Sequence, residues 1–463
     1  MVLTMARRPP KSTLALGLAL CALVWLLGTD AGAPSEADAA LRGPHAATAN
    51  AGQNARGATT ALRGGVNVGG VARDSTLVEA DRAIAAAHQL HAKLVRLAVP
   101  WSLLEPARAN EVEPRALAYT DRVVADAAAA GIGVILMVES TPCWVSSAPP
   151  SLLRKCQPGK EAQASSWPPS EPAAFATFCA YLAQRYGARL TALEIWNEPD
   201  QSNEAYFAGP HKAARYAALL RAAYPAIKRV NASVAVLAGS IVGSNGLFLR
   251  ALYAAGIKGY YDGLAVHFYT LTLAALRSIH EVQLANGDST PLWLDEFGWS
   301  SCWPRQKIQQ EQGCVTAQTQ AANIASALHE MASTPWIAAA VLYKLRDSSG
   351  EDFGMFSASG SRKPAFSALA RVLASPVGSY SPVTLSLRRL RGGAVLASGS
   401  GPVGDFMQLE AFQGSVLRYR ALFTLNRFNR YSLALPSVLG ASGLRVRVFQ
   451  YWAGLGRAAE TSI

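Results

Sequence analysis

LTALEIWNEPD (residues 190–200) starts as a run of apolar and β-favouring residues and ends in Asn-Glu-Pro-Asp. A plain strand-to-loop junction needs no carboxylate beside an amide. Pro199 has no N–H to give a sheet ladder, so the strand must stop there. The stretch therefore reads as a strand that delivers Asn197 and Glu198 to its C-terminal end. What that end belongs to depends on how often the pattern recurs.

It occurs eight times in all. Upstream lie GGVNVGG (64–70), KLVRLAVPW (93–101) and GVILMVES (133–140), and downstream SVAVLAGS (233–240), DGLAVHFY (262–269), PLWLDEF (291–297) and WIAAAVLYKL (336–345). Helical patterns fall between them, among them 75–91, 115–130, AAFATFCAYLAQRYG (173–187), HKAARYAALLRAAYPAIKRV (211–230), TAQTQAANIASALHEMA (316–332) and KPAFSALARVLA (363–374). Short apolar strands alternating with amphipathic helices imply a parallel sheet covered by helices. Eight such units fit a closed (β/α)8 barrel. A doubly wound open sheet is the alternative, but NVGGVARDS after the first strand is a poor match to a Gly-rich phosphate loop. Beyond residue 376 the pattern changes to short alternating strands separated by Gly, Pro and Ser: PVTLSLRRL, GAVLASGS, DFMQLEAFQ, VLRYRALFTLN, YSLALP and LRVRVFQYW. These predict a small antiparallel β-domain of sandwich type.

The 463 residues, half of them hydrophobic and 16% charged, allow a large core and exclude global disorder. The net charge of +12 is concentrated at the C-terminal end, where residues 376–463 hold ten Arg, no Lys and three acids. Such a face suits an acidic polymer or a membrane, or reflects only a compositional preference for Arg. No nucleic-acid motif accompanies it. Residues 1–33 read as a signal peptide or membrane anchor: Arg7, Arg8 and Lys11 precede the apolar STLALGLALCALVWLLG (12–28), followed by the small residues DAGA. Residues 34–62 read as a flexible linker, 63–375 as the barrel and 376–463 as the β-rich domain. Export to the periplasm or the extracellular space, with or without retention at the inner membrane, is the expectation. In such a compartment Cys143 and Cys156, and Cys302 and Cys314, can each close a short loop as a disulfide, the alternative being free thiols. Cys179 sits in a helical pattern. No CxxC or HExxH spacing is present, so no metal and no cofactor are expected.

In a barrel of this kind the active site lies at the C-terminal ends of the strands. The polar residues there are Arg96 on strand 2, Glu139 on strand 3, Asn197 and Glu198 on strand 4, His267 and Tyr269 on strand 6, and Glu296 on strand 7. Tyr343, Lys344 and Asp347 follow strand 8. Trp144, Trp299 and Trp303 lie in the loops. Two carboxylates across a pocket suit glycosidic bond cleavage, and aromatic rings suit sugar faces. Glu194, four residues before Glu198, points to the same face deeper in the barrel and reads as a buried ion-pair partner.

WNEP on strand 4, HFY on strand 6 and LDEFGW on strand 7 resemble a clan A glycoside hydrolase. The wider pattern is most similar to family 39 and related bacterial exopolysaccharide hydrolases, through VRLAVPWSLLEP (95–106), STPCW (140–144) and LRDSSGEDFGMFSASGSRKPAF (345–366). The resemblance covers residues 64–374. It implies Glu198 as general acid/base and Glu296 as nucleophile of a retaining mechanism, with Asn197 on the neighbouring sugar hydroxyl. It further implies that Tyr269 and His267 support the nucleophile and that Arg96 keeps Glu296 ionised. Trp299 and Trp144 are the candidate sugar platforms. Two departures stand out. LYKLRD follows strand 8 where many members place a Trp, and Glu139 ends strand 3 where many place a His. The expected activity is hydrolysis of β-glycosidic bonds in a poly- or oligosaccharide, such as a bacterial extracellular polysaccharide. The competing readings are an exo-acting β-xylosidase-like enzyme and a non-catalytic carbohydrate-binding protein of polysaccharide export. The expected partner is the carbohydrate itself. Sequence leaves the sugar, the linkage and the oligomeric state open.

Overall fold

The computed structural model describes residues 62–242, 245–269, 274–302, 314–332, 334–348, 350–374, 383–401, 407–423, 425–426, 430–439, 442–450 and 458–463. The expected signal segment, nearly all of the expected linker, Trp303 and the expected boundary at residue 375 lie outside them. Residues 60–463 form one compact unit.

The strands and helices alternate as the pattern demands. In chain order they are β1 (Arg63–Gly70), α1 (Leu77–Gln89), β2 (Leu94–Pro100), α2 (Trp101–Leu104), α3 (Pro114–Ala129), β3 (Gly133–Glu139), α4 (Pro150–Leu153), α5 (Pro172–Tyr186) and β4 (Leu190–Ile195). There follow α6 (Lys212–Val230), β5 (Ala235–Ile241), α7 (Leu247–Ala254), β6 (Gly263–Phe268), α8 (Ala274–Ala285), β7 (Leu292–Phe297), α9 (Ala317–Ala332), β8 (Ile337–Leu342) and α10 (Pro364–Leu373). Helix starts are locally encoded. Thr76 and Glu79 form a reciprocal capping box on α1, and Pro114 opens α3 while Glu113 accepts from Ala116 N. The eight strands close in sequence order into a parallel barrel, with β1 paired to both β2 and β8. None of the described helices is long and apolar enough to cross a membrane.

Alternation along each strand divides the side chains between two cores. One set packs outward under the helices as a large apolar cluster that includes Val66, Val95, Val134, Leu193 and Leu264. The other fills the barrel interior: Leu94, Ile135, Ala192, Leu237, Ala265, Trp293, Ala339 and Val341. Trp293 fits because β6 starts with glycine there; a Cβ on Gly263 would lie 2.6 Å from the indole nitrogen. The Arg63 guanidinium stacks over the same ring at 4.5 Å.

The C-terminal segment forms two antiparallel sheets. Its strands are β9 (Ser386–Arg389), β10 (Val395–Ser400), β11 (Met407–Gln413), β12 (Val416–Phe423), β13 (Arg430–Leu435), β14 (Leu444–Gln450) and β15 (Ala459–Ser462). The orders are β13-β10-β9 and β12-β11-β14-β15. Val395 and Ala397 of one sheet share an apolar core with Met407, Leu409, Val446 and Val448 of the other. The sequence pattern predicts six of these strands. It misses β15, a short, polar and half-exposed edge strand with no apolar alternation to reveal it.

Candidate active site

One step above the apolar interior layer the barrel turns polar. Arg96 follows Leu94 by two residues on β2, Glu194 follows Ala192 on β4, and His267 follows Ala265 on β6, so period-2 alternation aims all three inward. On β7 strict alternation would put Glu296 outside if Asp295 is inside. The ladder between β6 and β7 breaks this rule: Ala265 pairs with Trp293, but His267 pairs with Glu296. The extra residue is a bulge, and it lets Asp295 and Glu296 both reach the interior groups. On β5 a second irregularity at Gly239 (φ +107°) and Ser240 (φ 61°) turns the Ser240 hydroxyl inward. At the end of β4, Trp196 (φ 69°) and Glu198 (φ 46°) both occupy the left-handed region, a costly conformation for side chains of this size. Pro199 follows directly, and Glu198 is left 8% exposed with its carboxyl in the site.

Arg96, 1% exposed, ties the layer together. Its Nε donates to Glu194 Oε2 (2.8 Å), its Nη2 to Glu194 Oε1 (2.7 Å) and Asn197 Oδ1 (3.0 Å), and its Nη1 to Glu296 Oε1 (2.7 Å). Asp295 Oδ2 lies 3.3 Å from Nε. Ser240 donates to Glu194 and stands 3.0 Å from Asp295 Oδ2. Burial opposes charge on Arg96, but Glu194, Glu296 and Asp295 together raise its pKa well above the ordinary value. His267 behaves alike: burial works against its protonation, and Glu296 and Asp295 outweigh it. Burial pushes Glu194 up to about 7, while His267 and Arg96 overcome burial at Asp295 and hold it below the usual carboxylate range.

Above this layer sit the two glutamates. Tyr269 Oη donates to Glu296 Oε2 (2.7 Å), and Asn67 Nδ2 stands 3.4 Å from Oε1. Burial, then Glu296, keeps the Tyr269 phenol protonated and able to donate. Glu198 receives Gln201 Nε2 at Oε2 (3.1 Å) and pairs through Oε1 with His267 Nδ1 (2.7 Å). One oxygen of each glutamate and one His267 nitrogen all lie within 4.8 Å of one another. Among the described residues this is the one cluster with metal-ligand spacing. A divalent ion there would face the Arg96 guanidinium across Glu296, and like charges repel at that range. The donor set is that of an acid–base site.

Glu139 ends β3 at the same level, partly accessible, and burial pushes its carboxyl up to about 7, with Glu296 and Glu198 adding to the rise and Arg96 opposing it. Tyr343 packs edge-on against Tyr269 (6.0 Å) and feels Glu296; Tyr206, on the loop after β4, feels Glu198, Glu296 and Glu139. Asn67, Ser240, Asp295, Gln201 and Tyr206 escape a sequence reading. Asp295 beside Glu296 in LDEF is the only one with a usable signal.

Two expectations change, those for His267 and Trp299. His267 hydrogen-bonds Glu198 and lies 3.6 Å from Glu296, so its closer partner is the strand-4 glutamate. Trp299 is 2% exposed, packed in the outer apolar cluster edge-on to Phe297, and offers no open face to a sugar. Trp144 is half-buried, its indole N–H spent on Glu105 O (2.9 Å) and its ring edge-on to Trp101. Both cysteine pairs are bonded, with Cα separations of 5.8 Å for Cys143–Cys156 and 5.4 Å for Cys302–Cys314; Cys179 is buried and free.

The sequence model of the cellulase family (glycosyl hydrolase family 5) matches residues 53–329, more than half of the chain. The chain belongs to glycosyl hydrolase family 5. Its barrel, with acidic and amide groups at the strand ends, is that of a clan A glycoside hydrolase. Among solved structures this family 5 chain is similar to a family 39 glycoside hydrolase from the gut symbiont Bacteroides cellulosilyticus WH2. The identity is 19% over 82% of this chain and 80% of that one, with a TM-score of 0.52. It is also similar to the GH39 enzyme from Xanthomonas axonopodis pv. citri, at 14% identity over 81% and 93% and a TM-score of 0.51. These two likenesses concern the fold. No curated protein sequence matches the chain.

Proposed function

We propose that this glycoside hydrolase is exported and cleaves β-glycosidic bonds in a poly- or oligosaccharide, of the extracellular bacterial kind, with retention of configuration. The observation that carries the reading is the 4.8 Å limit on the separation of Glu198 and Glu296 oxygens. Retaining enzymes hold their carboxyls about 5–5.5 Å apart, and inverting ones about 6.5–9.5 Å apart to admit a water. Glu296 acts as nucleophile: Arg96 and Tyr269 fix its two oxygens, so it meets the sugar carbon without reorganising. Glu198 protonates the leaving oxygen in the first step and takes a proton from water in the second. His267 Nδ1, within hydrogen-bond reach of Glu198, orients it for both. Asn197, whose Oδ1 is held by Arg96, is left with its amide N–H groups for a sugar hydroxyl.

The two disulfides support export, since such bonds persist in oxidising compartments. The test is product analysis on a panel of β-glycans, with the anomer of the first product followed by NMR. A β-anomer that later mutarotates is expected. An initial α-anomer, or no turnover of any β-glycan, contradicts the reading.

A further inference from the structure

Every carboxyl of the polar layers but one is held by the protein. Glu194 has Arg96 and Ser240; Glu296 has Arg96 and Tyr269; Glu198 has His267 and Gln201; Asp295 has Ser240 and the two cations. Glu139 has none of these: among the described residues no donor reaches its carboxyl and no cation pairs with it. Its place is nonetheless set by the sheet. Ile135 belongs to the interior core, Met137 pairs with the inward Glu194, and the next inward position on β3 is Glu139, in register with Pro100 of β2. Groups buried in a protein are nearly always hydrogen-bonded, so a carboxyl aimed into a pocket without a protein donor is left for solvent or ligand.

The local charge says which ligand. Five carboxyls (Glu139, Glu194, Glu198, Asp295 and Glu296) surround two cationic side chains, Arg96 and His267, and both are committed elsewhere. The mouth is thus acidic in a protein of net charge +12. A uronate would bring a further carboxyl against Glu139 and Glu296, with neither Arg96 nor His267 free to receive it. A neutral sugar would gain only hydroxyl contacts. An ammonium group supplies the missing counter-charge and the missing donors together.

We propose that Glu139 is a specificity-determining residue that binds the unsubstituted amino group of an amino sugar in the substrate chain. The inference rests on the reading of this pocket as a glycosidase site and names the class of glycan it takes. Burial holds the empty Glu139 carboxyl up to about 7, facing Arg96 of β2, Glu198 of the β4 loop, His267 of β6 and Glu296 of β7. A bound ammonium draws it to the ionised form.

The test is binding, read by calorimetry on the full chain carrying Glu296→Gln so that nothing turns over. The probes are cellopentaose, its fully amino counterpart and its fully N-acetylated counterpart, near neutral pH. The amino pentamer is expected to bind about tenfold or more tighter than either neutral one, the scale of one charge-assisted contact. Adding Glu139→Gln brings the ratio close to one, and Glu139→Ser does the same if the first variant folds poorly. Equal affinities without the Glu139 change, no binding of the amino pentamer, or a preference that survives both substitutions overturns the proposal. Because hydrolysis is not read, failure of the retaining mechanism would leave this result standing, and the reverse also holds.

Discussion

Arg96 holds three carboxylates in a space that excludes water, so its loss is a severe charge defect rather than a missing contact. Breaking a buried ion pair from one side costs about 3–5 kcal/mol. Arg96→Ala should lower the urea midpoint accordingly, and Arg96→Lys should fall short of rescue because an ammonium cannot reproduce the planar fork. A midpoint equal to that of the parent chain would count against this account of the layer. Glu139 behaves in the opposite sense. Burial raises its pKa in the folded state to about 7 from the ordinary 4.5, so the folded protein holds an extra proton between those values. Stability from this group is therefore intact below about pH 4.5 and is lost as pH rises through 7. Glu139→Gln should match the parent in acid and exceed it at alkaline pH, by on the order of 1–3 kcal/mol. Melting temperatures across the pH range test this, and a variant less stable in alkali would contradict it. The two glutamates themselves were legible in sequence because NEP and DEF each end an apolar strand. Ser240 was not, because its inward aim depends on a left-handed residue at an irregularity of β5, and Asp295 was not, because alternation admits only one of two adjacent residues and the bulge that lets both Asp295 and Glu296 face inward is not readable. Trp299 misled for a related reason: its position just past β7 is readable, but whether its ring packs into the outer apolar cluster is not.

At the scale of elements, strands and helices of the barrel emerged close to their predicted bounds. Buried parallel strands are nearly continuous apolar runs, and the helices between them carry clear amphipathic faces. The loops carry no such period, which is why Gln201 and Tyr206 were not found. The long connection from β3 to α5 is the one most in need of bracing, since it leads directly from Glu139 and carries Trp144. Cys143–Cys156 closes 13 residues of it. A loop of that size contributes about 3 kcal/mol through lost chain entropy. The double substitution Cys143→Ser with Cys156→Ser should lower thermal stability by that order, and a reductant should bring the parent chain toward the variant. Identical melting of oxidised and reduced protein would show that the loop needs no staple.

At the scale of the whole molecule, charge is unevenly shared. The β-rich domain is basic, and its buried Glu410 is claimed by Arg420 and Arg447, whereas the barrel mouth is acidic. The fold class was legible because eight repeats admit few closed solutions, while the sugar was not, because specificity lives in loop residues. The central claim is the division of labour between Glu198 and Glu296, and it concerns the chemistry of the complete enzyme. The most direct measurement is azide rescue of Glu198→Ala and Glu296→Ala on an aryl β-glycoside that the parent enzyme turns over, with the product anomer read by NMR. Without Glu198 the aryl group still leaves, the glycosyl-enzyme accumulates for want of a base, and azide attacks it to give the β-azide. Without Glu296 any rescue is a single displacement and gives the α-azide. The account predicts β-azide from Glu198→Ala and α-azide from Glu296→Ala; the swapped pattern would contradict it.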